Sequence, residues 1–402
     1  MKNRVIICSS LTQLINSMAA INSLNEGKNY ITILIITNPF LSETEVSKII
    51  NFAKEQSFNT VINFTKLFKL YIKENEYSSK SSYYLIKRLI YKINNKIKKI
   101  YFLKRKFTEI KSKLNENNML EIESLYTRGR TKIYESLLIN SFQKINKLYC
   151  IEDGVGDYIH PNTIWSEFIT YEIKFKIREF ISKLLNFFIS FLITLNFNQS
   201  LIFSSLKKVK FNKIFRNIKM ENYEYKYLKS HDIINTQNEF KKIIKNFSNN
   251  FQFNYKVIIF DSLLNDQLKI EFNKVPVLYN SIINSILSNK QLNKEDIFFK
   301  HHPRLNYKYW KILKENIICD ISDFNSNLSH LPGEFLLNNQ STQEVYSVGS
   351  TALFYSKFLF KKKSYFIIFD NKHFHPSAFK KYQYFFLKYK FDVFDATKML
   401  KL

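Results

Sequence analysis

Short apolar runs alternate with amphipathic stretches along both ends of this chain, and that alternation is the first thing its order of residues establishes. Arg4 to Ser9 and Tyr30 to Thr37 are continuous apolar runs, the pattern of strands buried on both faces of a parallel sheet. Leu11 to Leu24 and Glu43 to Glu55 repeat at helical spacing between and after them. Val61 to Phe64 reads as a short strand, Met119 to Tyr126 as a strand, Lys132 to Ile145 as a helix and Lys147 to Ile151 as a strand. A second series begins with a strand at Tyr255 to Phe260, then a helix at Val277 to Ser288, a strand at Ile297 to Phe299, a helix at Leu305 to Glu315 and a strand at Ile317 to Ile321. It closes with a short helix at Phe335 to Asn338, a strand at Glu344 to Ser347, a helix at Ser350 to Phe360 and a strand at Ser364 to Phe369. Two such series predict an α/β protein with two Rossmann-like halves around a cleft.

The halves are predicted at 1–250 and 251–402. Residues 66–115 read as a long basic helical insertion in the first. Residues 164–250 read as a helical, aromatic and basic connection without a clear strand. A chain of 402 residues is long enough for two separate cores, and no internal repeat of fixed period is visible.

Charge adds a second layer. The formal net charge is +27, part of it a general excess of Lys that accompanies the excess of Asn, Ile and Phe. The rest is concentrated: between Lys80 and Lys113 stand Lys87, Arg88, Lys92, Lys96, Lys98, Lys99, Lys104, Arg105, Lys106 and Lys111 against the single acid Glu109. Such a field attracts polyanions, with nucleic acid, anionic lipid and acidic polysaccharide as the classes to weigh. Nucleic-acid binding would interleave aromatic rings with Arg for stacking, whereas this stretch is mostly Lys and Ile, and the expectation is of no nucleic-acid partner. Leu184 to Leu195 is the most apolar run, shorter than the ~20 residues of a spanning helix. Its flanking lysines fit either a helix lying on a membrane surface or a buried interdomain helix. Three cysteines, Cys8, Cys150 and Cys319, form no C-x-x-C pair, which predicts a reducing, cytoplasmic setting.

Candidate chemistry sits at strand ends, where open α/β sheets bind ligands. Glu152-Asp153-Gly154 follows the run Leu148 to Ile151, and Lys300-His301-His302-Pro303 follows Ile297 to Phe299. An acid from one half and a histidine from the other make an acid/base pair. The chain holds only 6 glycines, so the survivors mark backbone that needs them. Four of these, Gly154, Gly156, Gly333 and Gly349, stand beside strings singled out on other grounds. Ser350-Thr351 opens a helix directly after a strand, the setting in which free N–H groups and the helix dipole bind phosphate. The plainer reading makes Ser350 only a helix cap, Glu334 a partner for a surface Lys, and Glu152-Asp153-Gly154 an acidic turn. His-Pro recurs at His375-Pro376 without the preceding Lys-x, which reads as structural. No Asp-x-Asp, a common metal-binding signature, occurs.

These strings in this order resemble a bacterial sialyltransferase of the GT-B type. The match consists of Ile6-Ile7-Cys8-Ser9-Ser10 with Leu11-Thr12-Gln13-Leu14, then Glu152-Asp153-Gly154, Lys300-His301-His302-Pro303, Pro332-Gly333-Glu334 and Ser350-Thr351. The opening segment and basic insertion tilt it towards the capsule polysialyltransferases. The resemblance implies an acceptor-binding first half, a CMP-sugar-binding second half, CMP-sialic acid as donor, inversion at the anomeric carbon and no cofactor or metal. It implies Asp153 as the base that deprotonates the acceptor hydroxyl and His302 as the group that protonates or neutralises the departing phosphate. Ser350 and Thr351 would hold that phosphate and Glu334 the ribose, with Gly333, Lys300 and Gly154 in the donor site. The implied partner is an anionic oligo- or polysaccharide acceptor, and the run Leu184 to Leu195 leaves peripheral contact with the inner membrane surface open beside it. Another CMP-activated acidic sugar, or a monosialyltransferase acting on lipooligosaccharide, fits the same strings.

Overall fold

The computed structural model describes residues 2–24, 30–38, 41–66, 105–128, 133–152, 188, 211–218, 233–248, 253–262, 273–302, 305, 307–324, 331–369, 383, 385–397 and 399. Those up to Thr236 form one compact unit and those from Gln237 a second.

In the first unit the apolar runs become β1 (Lys2–Cys8), β2 (Tyr30–Ile36), β3 (Thr60–Asn63), β4 (Glu121–Arg128) and β5 (Lys144–Ile151). Two further strands, β6 (Lys213–Arg216) and β7 (Ile233–Asn235), complete a seven-stranded sheet in the order β3-β2-β1-β4-β5-β6-β7. Every pairing is parallel. The helices are α1 (Leu11–Ser23), α2 (Glu43–Glu55), α3 (105–116) and α4 (Ile133–Ser141). Ser10 caps α1 by accepting from the Gln13 N–H, and Ser42 and Glu45 form a reciprocal capping box on α2.

The strands β6 and β7 correct the expectation of a strandless 164–250. Lys213-Ile214-Phe215-Arg216 offers two apolar residues between two cations, and β7 is three residues at the sheet edge. Neither is long enough for alternation to register. The described end of the basic insertion is also informative. In α3, Ile110 and Leu114 are fully buried against Val5, Ile33, Leu125 and Leu138, while Lys111, Lys113 and Glu116 are exposed. The tail of the insertion is therefore an amphipathic part of the first core.

The second unit contains α5 (Gln237–Ser248), β8 (Val257–Phe260), α6 (Lys274–Lys290), β9 (Ile297–Lys300), α7 (Tyr307–Asn316) and β10 (Asp320–Ile321). It continues with a 3₁₀ segment (Gly333–Asn338), β11 (Glu344–Ser347), α8 (Thr351–Phe358), β12 (Lys363–Ile368) and β13 (Asp392–Asp395). The helix α5 is tied in by Phe240 on Tyr355 and Phe247 on Phe335, with ring centroids 5.4 and 4.9 Å apart. The sheet order is β10-β9-β8-β11-β12-β13, again all parallel. Edge strand β13 carried no legible signal, being four residues bounded by acids, as edge strands often are. Both sheets thus follow one winding: counted from each unit's first strand, the order is 3-2-1-4-5-6, that of dinucleotide-binding folds, with a seventh strand added at the end of the first sheet. Each places a topological switch beside its first strand.

Candidate active site

In the second unit the switch falls between β8 and β11, and the chain leaves both strands, and β9 beside them, with polar residues. β8 ends at Phe260 and continues into the buried Asp261 and Ser262. β11 ends at Ser347, whose hydroxyl donates to the Phe260 carbonyl at 3.2 Å. That leaves Ser262 to donate across to Ser347 Oγ at 3.0 Å. The strand ends are thereby fixed to one another by side chains after the ladder stops. Asp261 accepts from the Tyr279 hydroxyl at 2.9 Å, and burial, followed by the nearby Asp261 charge, holds the Tyr279 phenol well above its ordinary value.

Beyond Ser347 the chain turns through Gly349 into α8. Gly349 has φ 149°, a region costly for any residue with a Cβ. Among the described residues, left-handed positions at Ser57, Asn118, Gln291, Lys361 and Lys390, with φ of 52–58°, are filled without glycine. Glycine is retained at 349, where the turn needs a φ far outside that range. The next residue, Ser350, caps α8: its Oγ accepts from the Ala352 N–H at 3.1 Å. A hydroxyl has one proton and two lone pairs, so capping leaves the Ser350 O–H to point at an incoming acceptor such as phosphate. The cap reading and the binding reading of Ser350 are compatible.

Gly333 joins this cluster by contact. A Cβ built on it would lie 2.5 Å from Phe260 Cε1 and 2.9 Å from the Ala352 Cβ. Only the bare Cα allows the Pro332-Gly333-Glu334 segment to lie against the end of β8 and the first turn of α8. Glu334, the next residue, is buried. Lys300 pairs in register with Phe260 and is also buried, donating from Nζ to the His301 carbonyl at 3.0 Å. Lys300, Gly333, Glu334, Ser350 and Thr351 are thus collected at one sheet end from strings spread over about fifty residues.

The two neighbouring histidines differ in burial. His301 is 2% exposed, with Nδ1 2.5 Å from Ser322 Oγ and its ring stacked on Phe324. Ser322 is itself held, its carbonyl accepting from Trp310 Nε1 at 3.0 Å. His302 is half-buried and its carbonyl accepts from the Leu305 N–H at 3.0 Å.

In the first unit, β5 delivers Glu152, which is 1% exposed and accepts at Oε2 from the Asn217 N–H at 2.8 Å. Asp153, Gly154 and Gly156 lie outside the described residues, as do His375-Pro376, Pro303 and the insertion from 67 to 104. Of Leu184 to Leu195 only Phe188 is described. Among the described residues no helix is long and apolar enough to cross a membrane. Asp261, Ser262, Ser322 and Ser347 were not singled out by sequence, although Asp261-Ser262 follows an apolar strand in the same way as the two strings that were.

Both units are Rossmann-like, and the second carries a capped helix N-terminus, a buried Glu and a Lys-His-His string at its switch point, where folds of this class bind ligands. Family comparison gives the particular class. The alpha-2,8-polysialyltransferase family matches residues 4–368, and the chain belongs to that family; it is a sialyltransferase by descent. No curated protein matches the chain. Among solved structures it is similar to an alpha/beta-galactoside alpha-2,3-sialyltransferase from the luminous marine bacterium Photobacterium phosphoreum, at 14% identity and TM-score 0.47, covering 98% of each chain. It is also similar to the GT-B domain of a sialyltransferase from Photobacterium damselae, at 11% identity and TM-score 0.47, covering 98% of this chain and 100% of that one. A third similar structure is a UDP-GlcNAc 2-epimerase from Methanocaldococcus jannaschii, at 11% identity and TM-score 0.46, covering 100% of this chain and 92% of that one.

Proposed function

We propose that the chain transfers sialic acid from CMP-Neu5Ac to a hydroxyl of a sialylated or polysialic acid acceptor, with inversion and without a metal, in the synthesis of a capsule or surface glycan. The observation that carries this reading is the contact of Gly333 with Phe260 and Ala352, which sets the Glu334 segment against the phosphate-type N-terminus capped by Ser350. A ribose diol suits a carboxylate, and a single phosphate suits a helix N-terminus with a hydroxyl donor.

In this reading Asp153 takes the proton of the acceptor hydroxyl as that oxygen attacks the anomeric carbon from the face opposite CMP. The bond from that carbon to the phosphate oxygen breaks, and the electron pair leaves with CMP. His302 meets the charge that develops there, by a proton or as a cation, because its ordinary pKa of ~6.5 suits both forms. Ser350, Thr351 and the α8 N-terminus share the same charge, and Lys300 and Gly154 complete the donor site. Calorimetric titration with CMP tests the donor half. Binding lost in Glu334→Ala and Ser350→Ala, and absent for UMP, supports it, whereas equal binding of CMP by these variants overturns it.

A further inference from the structure

Helix α1 turns a polar face towards its sheet. Gln13, Asn16 and Ser17 are buried among Leu11, Leu14, Ile15, Ala19 and Ala20. Buried amides cost free energy unless every polar atom finds a partner. Gln13 is satisfied locally, its Oε1 accepting from Ser9 N and Ser9 Oγ at 2.8 Å each, its Nε2 donating to the Ile7 carbonyl at 3.2 Å. Asn16, one turn further on, is used differently. Its Nδ2 donates to the main-chain carbonyl of Glu152 at 3.0 Å. Its Oδ1 accepts from Asn217 Nδ2 at 2.8 Å. The Asn217 main-chain N–H returns to Glu152 Oε2 at 2.8 Å. Asn16, Asn217 and Glu152 therefore close a ring, and the Thr236 hydroxyl locks it from outside by donating to Asn217 Oδ1 at 2.8 Å.

The ring has a definite place in the fold. Glu152, Asn217 and Thr236 follow the carboxyl ends of the adjacent strands β5, β6 and β7, and none of the four residues is more than 2% exposed. Cross-linking three strand ends for stability alone would be served as well by apolar contacts. A closed polar ring does something apolar contacts do not: it fixes the orientation of one particular peptide group. The group held at both ends is Glu152, by its carboxylate and by its carbonyl. That carbonyl belongs to the peptide bond whose nitrogen is that of Asp153.

We propose that Asn16 and Asn217 are positioning residues for the transfer reaction, holding Glu152, the residue immediately before Asp153 in the chain, by both its carbonyl and its carboxylate, with Thr236 as the outer support. This rests on the reading of Asp153 as the base. Misplacement of a reacting group by about 1 Å costs on the order of 10²-fold in rate, so the ring acts on kcat and on the base-dependent limb of the pH profile. Donor binding, a property of the second unit's strand ends, is left alone.

The test compares wild type, Asn16→Ala, Thr236→Val, Asp153→Asn and the double variant Asn16→Ala with Asp153→Asn. Transfer from CMP-Neu5Ac to a short oligosialic acceptor is followed as a function of pH, with rates normalised to folded protein by near-UV circular dichroism. Asn16→Ala is expected to lower kcat about 10- to 100-fold with the donor KM within about twofold of wild type, and to displace the acidic limb of the kcat/KM profile. Thr236→Val should do the same more weakly, and it reports on the ring even where Asn16→Ala does not fold. The double variant should be no slower than Asp153→Asn alone, because Asn16 acts only through Asp153. Wild-type kcat and pH profile in Thr236→Val, or a loss confined to the donor KM, overturns the positioning role while an inactive Asp153→Asn keeps the base. Activity retained in Asp153→Asn overturns the base itself.

Discussion

The hydroxyl of Ser322 lies 2.5 Å from Nδ1 of His301, and this contact sets His301 in different surroundings from its neighbour His302. His301 is turned into the protein and spends its ring on Ser322 and Phe324. His302 is the half-exposed member. His302→Ala should therefore lower transfer by ~10²-fold or more, the scale of a lost proton donor, with little change in melting temperature. His301→Ala should instead cost about 1–3 kcal/mol of stability by removing the ring partner of the buried Ser322 hydroxyl, which keeps only the main-chain N–H of residue 301 at 3.4 Å, while the rate per folded molecule stays within a few-fold of wild type. Thermal melts and single-turnover rates on both variants check this. The opposite pattern would move the acid role back by one residue.

Gly333 offers a purely steric test. Adding one methyl forces atoms to 2.5 Å from Phe260 and 2.9 Å from Ala352, and overpacking of this kind costs about 1–3 kcal/mol. Gly333→Ala should lower the melting temperature and weaken CMP binding together, because the segment that must move carries Glu334. A variant that loses stability and keeps wild-type CMP affinity would detach Glu334 from the donor site.

Turnover should survive EDTA. The charge that develops on the leaving phosphate has protein partners in this account, namely His302 and the α8 N-terminus. Initial rates measured with and without chelator settle the point, and a loss restored by Mg²⁺ or Mn²⁺ would refute it.

The basic stretch makes a prediction about acceptor length. Neutralising Lys98, Lys99, Lys104 and Arg105 together should raise the KM of long polysialic acceptors far more than that of short ones. The difference should shrink with salt, as expected for charges screened over ~8 Å at physiological ionic strength. Unchanged transfer to all soluble acceptors with reduced liposome binding would assign this stretch to an anionic membrane instead. These substitutions avoid Ile110 and Leu114, whose burial in the first core would confuse the result.

What could be read from the order of residues, and what could not, follows from signal length. Runs such as Val5 to Cys8, fully buried in the structure, announce themselves because burial on both faces leaves no polar residue among them. The strands β6, β7 and β13 have three or four residues and charged or exposed positions, so no periodicity can emerge. The strings around Lys300, Glu334 and Ser350 were visible as strings because few glycines survive in this chain and two stand among them. Their convergence was implied by the family resemblance and not by their spacing. It depends on Gly333 meeting Phe260 and Ala352, and Phe260 stands far away along the chain. The ring of Asn16, Glu152 and Asn217 was invisible for a related reason: Asn is abundant here, and nothing local distinguishes the two that are buried.

Sialyl transfer from a CMP-activated donor can be read straight from the reaction products. Purified protein is incubated with CMP-Neu5Ac and a fluorescent short oligosialic acceptor, and the products are resolved by anion-exchange chromatography and mass spectrometry. Wild-type protein should lengthen the acceptor by whole sialyl residues with release of one CMP per residue added, and Asp153→Asn and His302→Ala should not lengthen it. An unchanged acceptor in the presence of folded wild-type protein, or elongation that proceeds equally well in both variants, would contradict this reading.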